Sequence, residues 1–207
     1  QILGLGDITH ADNDRNETPG HGHRLDAEGR HQRTVAAVLR FLRDLIAYAL
    51  ERFPLVDVRL LPGNHDPQTA GVVAVALAIY YADHPRVMVD DSPALWWFRE
   101  WGNVLLGATH GHTLKALEMP GVMAADRPAQ WGRTTHRYIH RGHHHSRAID
   151  EKMGVPVECH RAPPPRDGYH AGLHHRSGRT MQTILYHPAT GERRRAVTNI
   201  TPEAPDA

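Results

Sequence analysis

Residues 60 to 68 read LLPGNHDPQ, an apolar run that breaks into Gly63-Asn64-His65-Asp66 and is then stopped by Pro67. A buried strand that ends in a glycine turn delivers the following side chains at its carboxyl edge, where α/β proteins keep their chemistry. Asn64, His65 and Asp66 are therefore expected to be presented at that edge rather than buried.

Working outward, QILGLGD at the start reads as a short buried strand ending at Gly6-Asp7, followed by a polar loop over residues 8–29. Loops of that length are usually functional or disordered. From His31 to Arg52 the apolar positions Val35, Val38, Leu39, Leu42, Leu45, Ile46 and Ala49 fall on one helical stripe, which leads after Pro54 into the strand VDVRLL. Residues 68–82, rich in Ala and Val, predict a second helix, mostly buried. RVMVDD, ALWWFREW and NVLLGATHGH read as strands, residues 114–131 as helical, and THRYIHRGHHHS as a strand emptying into histidines. Beyond it come VPVECHR, a Pro-rich turn at 163–165, and a hairpin in MQTILYHPATGERRRAV whose turn is PATGE. The final TPEAPDA reads as a frayed end, and there is no internal repeat. Strands alternate with helices in the first half and dominate the second, so an α/β sandwich is expected.

A length of 207 residues can bury a real core and argues for one domain, two at most. We read a single domain over 1–207, with its motifs within 6–145 and a β-rich portion over 155–200. Apolar content of 40% and charged content of 23% are those of a globular protein. No apolar run nears the roughly 20 residues that cross a bilayer, and the N-terminus lacks a secretion pattern, so the expectation is no membrane partner and a cytoplasmic setting. Cys159 is the only cysteine, which excludes an internal disulfide and a thiolate zinc cage, and reads as a small core residue. A net charge of +1 argues against a dedicated polyanion surface. All but two of the 24 basic residues are Arg, a bias that carries little functional weight. Histidine is the outlier, at 18 residues, and clusters of imidazole call for a metal hypothesis first.

Four strand ends carry candidate ligands: Asp7 in GLGD, Asn64 and His65 in PGNHD, His110 in ATHGH, and His143 with His145 in RGHHHS. A mixed Asp, Asn and His set suits Mn²⁺, Fe, Zn²⁺ or Ni²⁺ better than Mg²⁺ or Ca²⁺. Taken singly each histidine reads as surface or core; taken in order with Asp7 and Asn64, the ligand reading wins.

The ordered blocks GD, GNHD, HGH and GHHH resemble the calcineurin-like metallophosphoesterase superfamily over residues 6–145. That resemblance implies a four-layer α/β/β/α sandwich and hydrolysis of a phosphate mono- or diester through a metal-activated hydroxide. It makes Asp7 the bridge between two metals, with Asn64, His110 and His143 completing one shell and His145 serving the other. His65 would assist the leaving oxygen and Asp66 would orient it. Mn²⁺ is the first choice of metal, and the substrate would be a phosphate ester, nucleotide or nucleic acid among the candidates. The loop GDITHADNDRNETPG is also similar, more weakly, to bacteriophage-encoded members.

One block departs from the pattern. No Asp-x-His occurs in these 207 residues, so two ligands of the second metal are absent from this sequence. The chain begins with Gln inside a buried strand, and a natural start there would leave a sheet edge without its neighbour. We expect the missing block and strand upstream of Gln1, which would restore a second ion. The alternative is a non-catalytic metal-binding scaffold with a degenerate site.

Other polar residues divide between site and solvent. His112 is balanced between a substrate-side role and a solvated loop; His144, the middle of its block, points away. His10, Asp12 and Asn13 could reach substrate, Arg30 and Arg33 read as a solvated face, and Trp96, Trp97 and Trp101 read first as core. His21, His23, His170, His174 and His175 stay unassigned.

Overall fold

A computed structural model describes residues 1–15, 17–20, 22–25, 30–164 and 177–200. His21, the histidines at 170, 174 and 175, and the TPEAPDA tail lie outside the described residues. The chain divides into two compact units, Gln1–Trp97 and Phe98–Ala207. Among the described residues it is a mixed α/β protein with three sheets and no barrel.

In the first unit, β1 (Ile2–Gly4), β2 (Val56–Leu60) and β3 (Val87–Asp90) form a parallel sheet in that order. Parallel neighbours need long crossovers, and here they are helices: α1 (His31–Leu50) links β1 to β2 and α2 (Thr69–Tyr80) links β2 to β3. The α1 stripe packs as its spacing predicts, with Leu42 and Ile46 buried and Val35, Val38, Leu39 and Ala49 against the same core as Val56, Val58 and Leu60. That stripe is why a helix with no acidic first turn and no side-chain cap on its Ncap residue is nonetheless held in place. Asp14 supplies what Arg30 cannot, accepting the His31 N–H at 2.6 Å.

Helix α2 corrects one expectation. Its Val73, Ala74 and Leu77 are buried, but Ile79 and Tyr80 are 73% and 68% exposed, so it is apolar on both faces and buried on one. Arg59, on β2, is fully buried because its guanidinium donates to the carbonyls of Asp90, Ser92 and Ala94 and to the Asp90 carboxylate.

The second sheet runs β4 (Trp96–Trp101), β5 (Val104–Thr109), β6 (His136–Arg141), β8 (Val155–Cys159), β7 (Ala148–Lys152). β6 is parallel to both β5 and β8, whereas β7 pairs antiparallel with β8. The expected helix over 114–131 is two, α3 (Met119–Asp126) and α4 (Pro128–Arg133), after a 3₁₀ turn at Ala116–Glu118. Pro128 explains the break: it pushes Arg127 to φ −130°, ψ 50° and opens the second helix as its first residue. Strand β7 went unread because four of its five residues are exposed, so no apolar alternation marks it. The hairpin of β9 (Thr180–His187) and β10 (Gly191–Asn199) forms as expected. Of the three tryptophans assigned to core, Trp97 is buried and Trp101 is about half exposed. Among the described residues no helix is long and apolar enough to cross a membrane.

Candidate metal centre

Each unit brings its motif residues to the carboxyl ends of two adjacent parallel strands. In the first, β1 and β2 pair with Gly4 opposite Leu60, so the turns at Gly6-Asp7 and at Gly63-Asn64-His65-Asp66 leave the same sheet edge. They touch through hydrogen bonds: the His65 N–H donates to Asp7 Oδ1 at 2.9 Å, and Asp66 accepts from the Asp7, Gly63 and Thr9 N–H groups, each at 3.0 Å. The Thr9 hydroxyl adds a longer bond to Asp66 at 3.3 Å.

Gly63 is required by this closeness. A Cβ there would sit 1.9 Å from Asp7 Oδ1, far inside contact distance.

Two expectations change. His65 and Asp66 were expected to be presented, but they are 8% and 0% exposed, while Asn64 is half-buried. Asp66 was also expected to orient His65, yet the bonds its carboxylate accepts run to Asp7, Thr9 and Gly63, which makes it the brace that locks the two turns together. Burial is the largest influence on this carboxyl and pushes its pKa up, with the backbone N–H of Thr9 opposing and the Asp7 charge adding to the rise. The His65 ring stacks on His10, with centroids 5.3 Å apart and 27° between planes. Asp12 is used structurally: it accepts the N–H groups of Gln68 and Thr69 at the start of α2. Asn13 accepts the Arg15 N–H at 2.8 Å within the loop.

The second unit repeats the arrangement. β5 and β6 pair with Thr109 opposite Arg141, and His110 and Gly142-His143 follow directly. The Gly142 N–H donates to the His110 carbonyl at 3.0 Å, linking the two turns. The His110 and His143 rings lie 5.2 Å apart at 71°, and His112 joins them at 5.3 Å and 6.1 Å. His112 thus belongs to the ring cluster although it is exposed, and the exposed His144, expected to point away, also lies near it, its ring centroid 4.8 Å from that of His143. Gly111, at φ +98°, sits where a Cβ would press at 3.2 Å on the stem of buried Arg141.

The backbone at these turns is unusual. Among the described residues five non-glycines have positive φ: Asp7 at 57°, His10 at 60°, His143 at 68°, His145 at 50° and Met153 at 56°. Three of the five are expected ligands, and left-handed non-glycine residues concentrate where function over-determines the chain.

The donor set fits a first-row divalent ion. A tetrahedral ion about 2.1 Å from each nitrogen places two coordinating imidazole centroids about 5 Å apart, the spacing of His110 and His143. In the first unit, taken by itself, Asp7 and Asn64 offer carboxylate and amide oxygens, ligand types that such ions also accept.

A group that sequence reasoning missed lies on the strands of the second unit: His140, Glu158 and His160 offer ligand atoms within 4.8 Å of one another. The signal was present in Glu158-Cys159-His160, where a spacing of two on a strand puts both ends on one face. Cys159 between them is a fully buried free thiol donating to the Gly142 carbonyl at 3.2 Å, as its core reading predicts.

No family model, curated protein or solved structure matches this chain.

Proposed function

We propose that the chain is a metal-dependent phosphoesterase acting on a phosphate mono- or diester, with Asp7, Asn64, His110, His143 and His145 as its metal ligands. The observation that carries this reading is the doubled geometry: in each unit the motif residues occupy linked turns past two adjacent parallel strands, with Asp7, His143 and His145 held at positive φ. The block order GD, GNHD, HGH, GHHH supports the same assignment, and with it the four-layer α/β/β/α arrangement.

Divalent ions in such a site neutralise phosphoryl charge and acidify water into a nucleophile. The chain's own residues do the rest. Asp66 fixes the Asp7 and Gly63 backbones, so the Asp7 carboxylate and the His65 ring keep one spacing. His65, buried and stacked on His10, stands ready to give a proton to the departing alkoxide. Mn²⁺ is the proposed metal, with Fe, Zn²⁺ or Ni²⁺ as competitors, and His145 is assigned to a second ion. A cytoplasmic setting belongs to the same proposal.

Hydrolysis of bis-p-nitrophenyl phosphate with added Mn²⁺ tests the proposal. We expect activity that falls at least 100-fold in Asn64→Ala, His65→Ala and His110→Ala. The absence of Asp-x-His from the 207 residues favours a second reading, a non-catalytic metal scaffold. Under that reading Mn²⁺ binds and depends on Asp7 and His110, but no turnover appears even when the chain is extended upstream.

A further inference from the structure

The polar group between β6 and β8 has the makings of a site independent of the motif turns. Strand register brings it together: His140 is the Cα partner of Glu158, and His160 follows two residues on, its N–H bonded to the Arg141 carbonyl at 2.9 Å. His140 and Glu158 are 7% and 3% exposed. His140 Nδ1 lies 2.9 Å from His160 Nε2, and the ring centroids are 5.1 Å apart.

We propose that His140, Glu158 and His160 form a second transition-metal site, of the Zn²⁺ class, with three protein ligands and a remaining position toward the pocket of about 250 Å³ that His140 and Glu158 line. The imidazole spacing is again the 5 Å expected of two nitrogens on one tetrahedral ion. Ligand atoms around such an ion stand roughly 3.3 Å apart, so the histidine nitrogens need to part slightly and the Glu158 carboxylate to close in from within 4.8 Å.

The remaining contacts suit ligation. With Nδ1 on the ion, His140 Nε2 carries the proton and donates to Tyr186 Oη at 2.8 Å, a bond that fixes tautomer and ring orientation as partners of metal-bound histidines do. Both rings are withdrawn from solvent, His140 almost fully and His160 partly. Tyr186 is held protonated by the same burial.

The competitor is Arg195, which donates to both oxygens of Glu158. It also donates to both oxygens of Glu192 at 2.9 Å and to Gln182 at 2.7 Å, so it keeps three bonds when Glu158 turns to an ion.

The test uses the full chain carrying Asp7→Ala and His143→Ala, which removes the motif site and makes the outcome independent of phosphoesterase activity. Stripped of metal and titrated with Co²⁺, this protein is expected to take up one equivalent, with the visible d–d bands of a low-coordinate nitrogen and oxygen site, displaced by Zn²⁺. Adding His160→Gln should abolish the bands, and Glu158→Gln should weaken binding at least tenfold, each with an unchanged far-UV circular dichroism spectrum. His160 is only partly buried, so its variant is expected to fold even where His140→Gln does not. No Co²⁺ uptake by the double variant, or uptake unaltered by His160→Gln, overturns the proposal.

Discussion

The motif turns and the network between β6, β8 and β9 place polar side chains by opposite means. In the turns the backbone is bent into left-handed conformations at Asp7, His143 and His145, and ties across the turn pair hold it there: the buried Asp66 carboxylate in one unit, the bond from Gly142 to the His110 carbonyl in the other. In the network no residue among His140, Glu158, His160 and Tyr186 has positive φ, and ordinary strand register does the placing. Folding must therefore offset strain at the turns and desolvation in the network. The turns should fail when their brace is cut; the network should fail when protons are forced on it.

The largest effect comes from cutting the brace. Asp66→Ala strands the N–H groups of Asp7, Thr9 and Gly63 in a buried turn. Each unsatisfied buried donor costs about 1–3 kcal/mol, and with partial rescue by water we expect a loss of about 4 kcal/mol. Asp66→Asn, which keeps one oxygen, should lose about half as much. Urea unfolding reads this as a lower midpoint at unchanged slope. A loss below about 1 kcal/mol would mean that Gly63 and the strand ends hold Asp7 without help.

The contrast also explains what could be read from the residues beforehand. The α1 stripe and the runs ending in GD, GNHD, HGH and GHHH were legible because apolar periodicity and turn residues are local signals. Asp66 was read as a partner of His65 because the two are adjacent in sequence, whereas its bonds reach 59 and 57 residues away to Asp7 and Thr9. His140 and Glu158 were invisible for the same reason, since their meeting is a matter of register between β6 and β8. Exposed β7 and the break at Pro128 show the remaining limits: one lacks a pattern, and in the other a proline was outweighed by the helical pattern around it.

Protons should break the network. Burial, then the charges of His160 and Arg195, lower His140 to about 3 from 6.5, with Glu192 opposing. Between those values the unfolded chain binds the proton and the native one does not, so native stability is full above about pH 6.5 and declines as pH falls. At 1.36 kcal/mol per pH unit, metal-free protein should lose about 2 kcal/mol between pH 7 and pH 5 from this residue. His160, also lowered by burial, shifts the loss in the same direction. Urea titrations at the two pH values, in wild type and His140→Gln, check it: the variant should lose about 2 kcal/mol less over that interval. Equal losses would show that the proton enters elsewhere.

The smallest effect sharpens the claim of strain. His143 sits at φ +68°, and its neighbour His144 is absent from the positive-φ residues. Glycine removes a left-handed penalty of about 1 kcal/mol at the first position, and loosens the unfolded chain by about 0.5–1 kcal/mol at both. In metal-free protein His143→Gly should therefore melt at or slightly above the wild-type temperature, and His144→Gly about 2–4 °C below it. Loss of the His143 ring contacts with His110 and His112 works against this order, so a preserved order is strong evidence that strain outweighs them. Adding Mn²⁺ should separate the two variants further, because the metal stabilises only a chain that binds it. His144→Gly should regain its melting temperature with the ion and His143→Gly should not, which is the behaviour of a backbone held under strain to present a ligand.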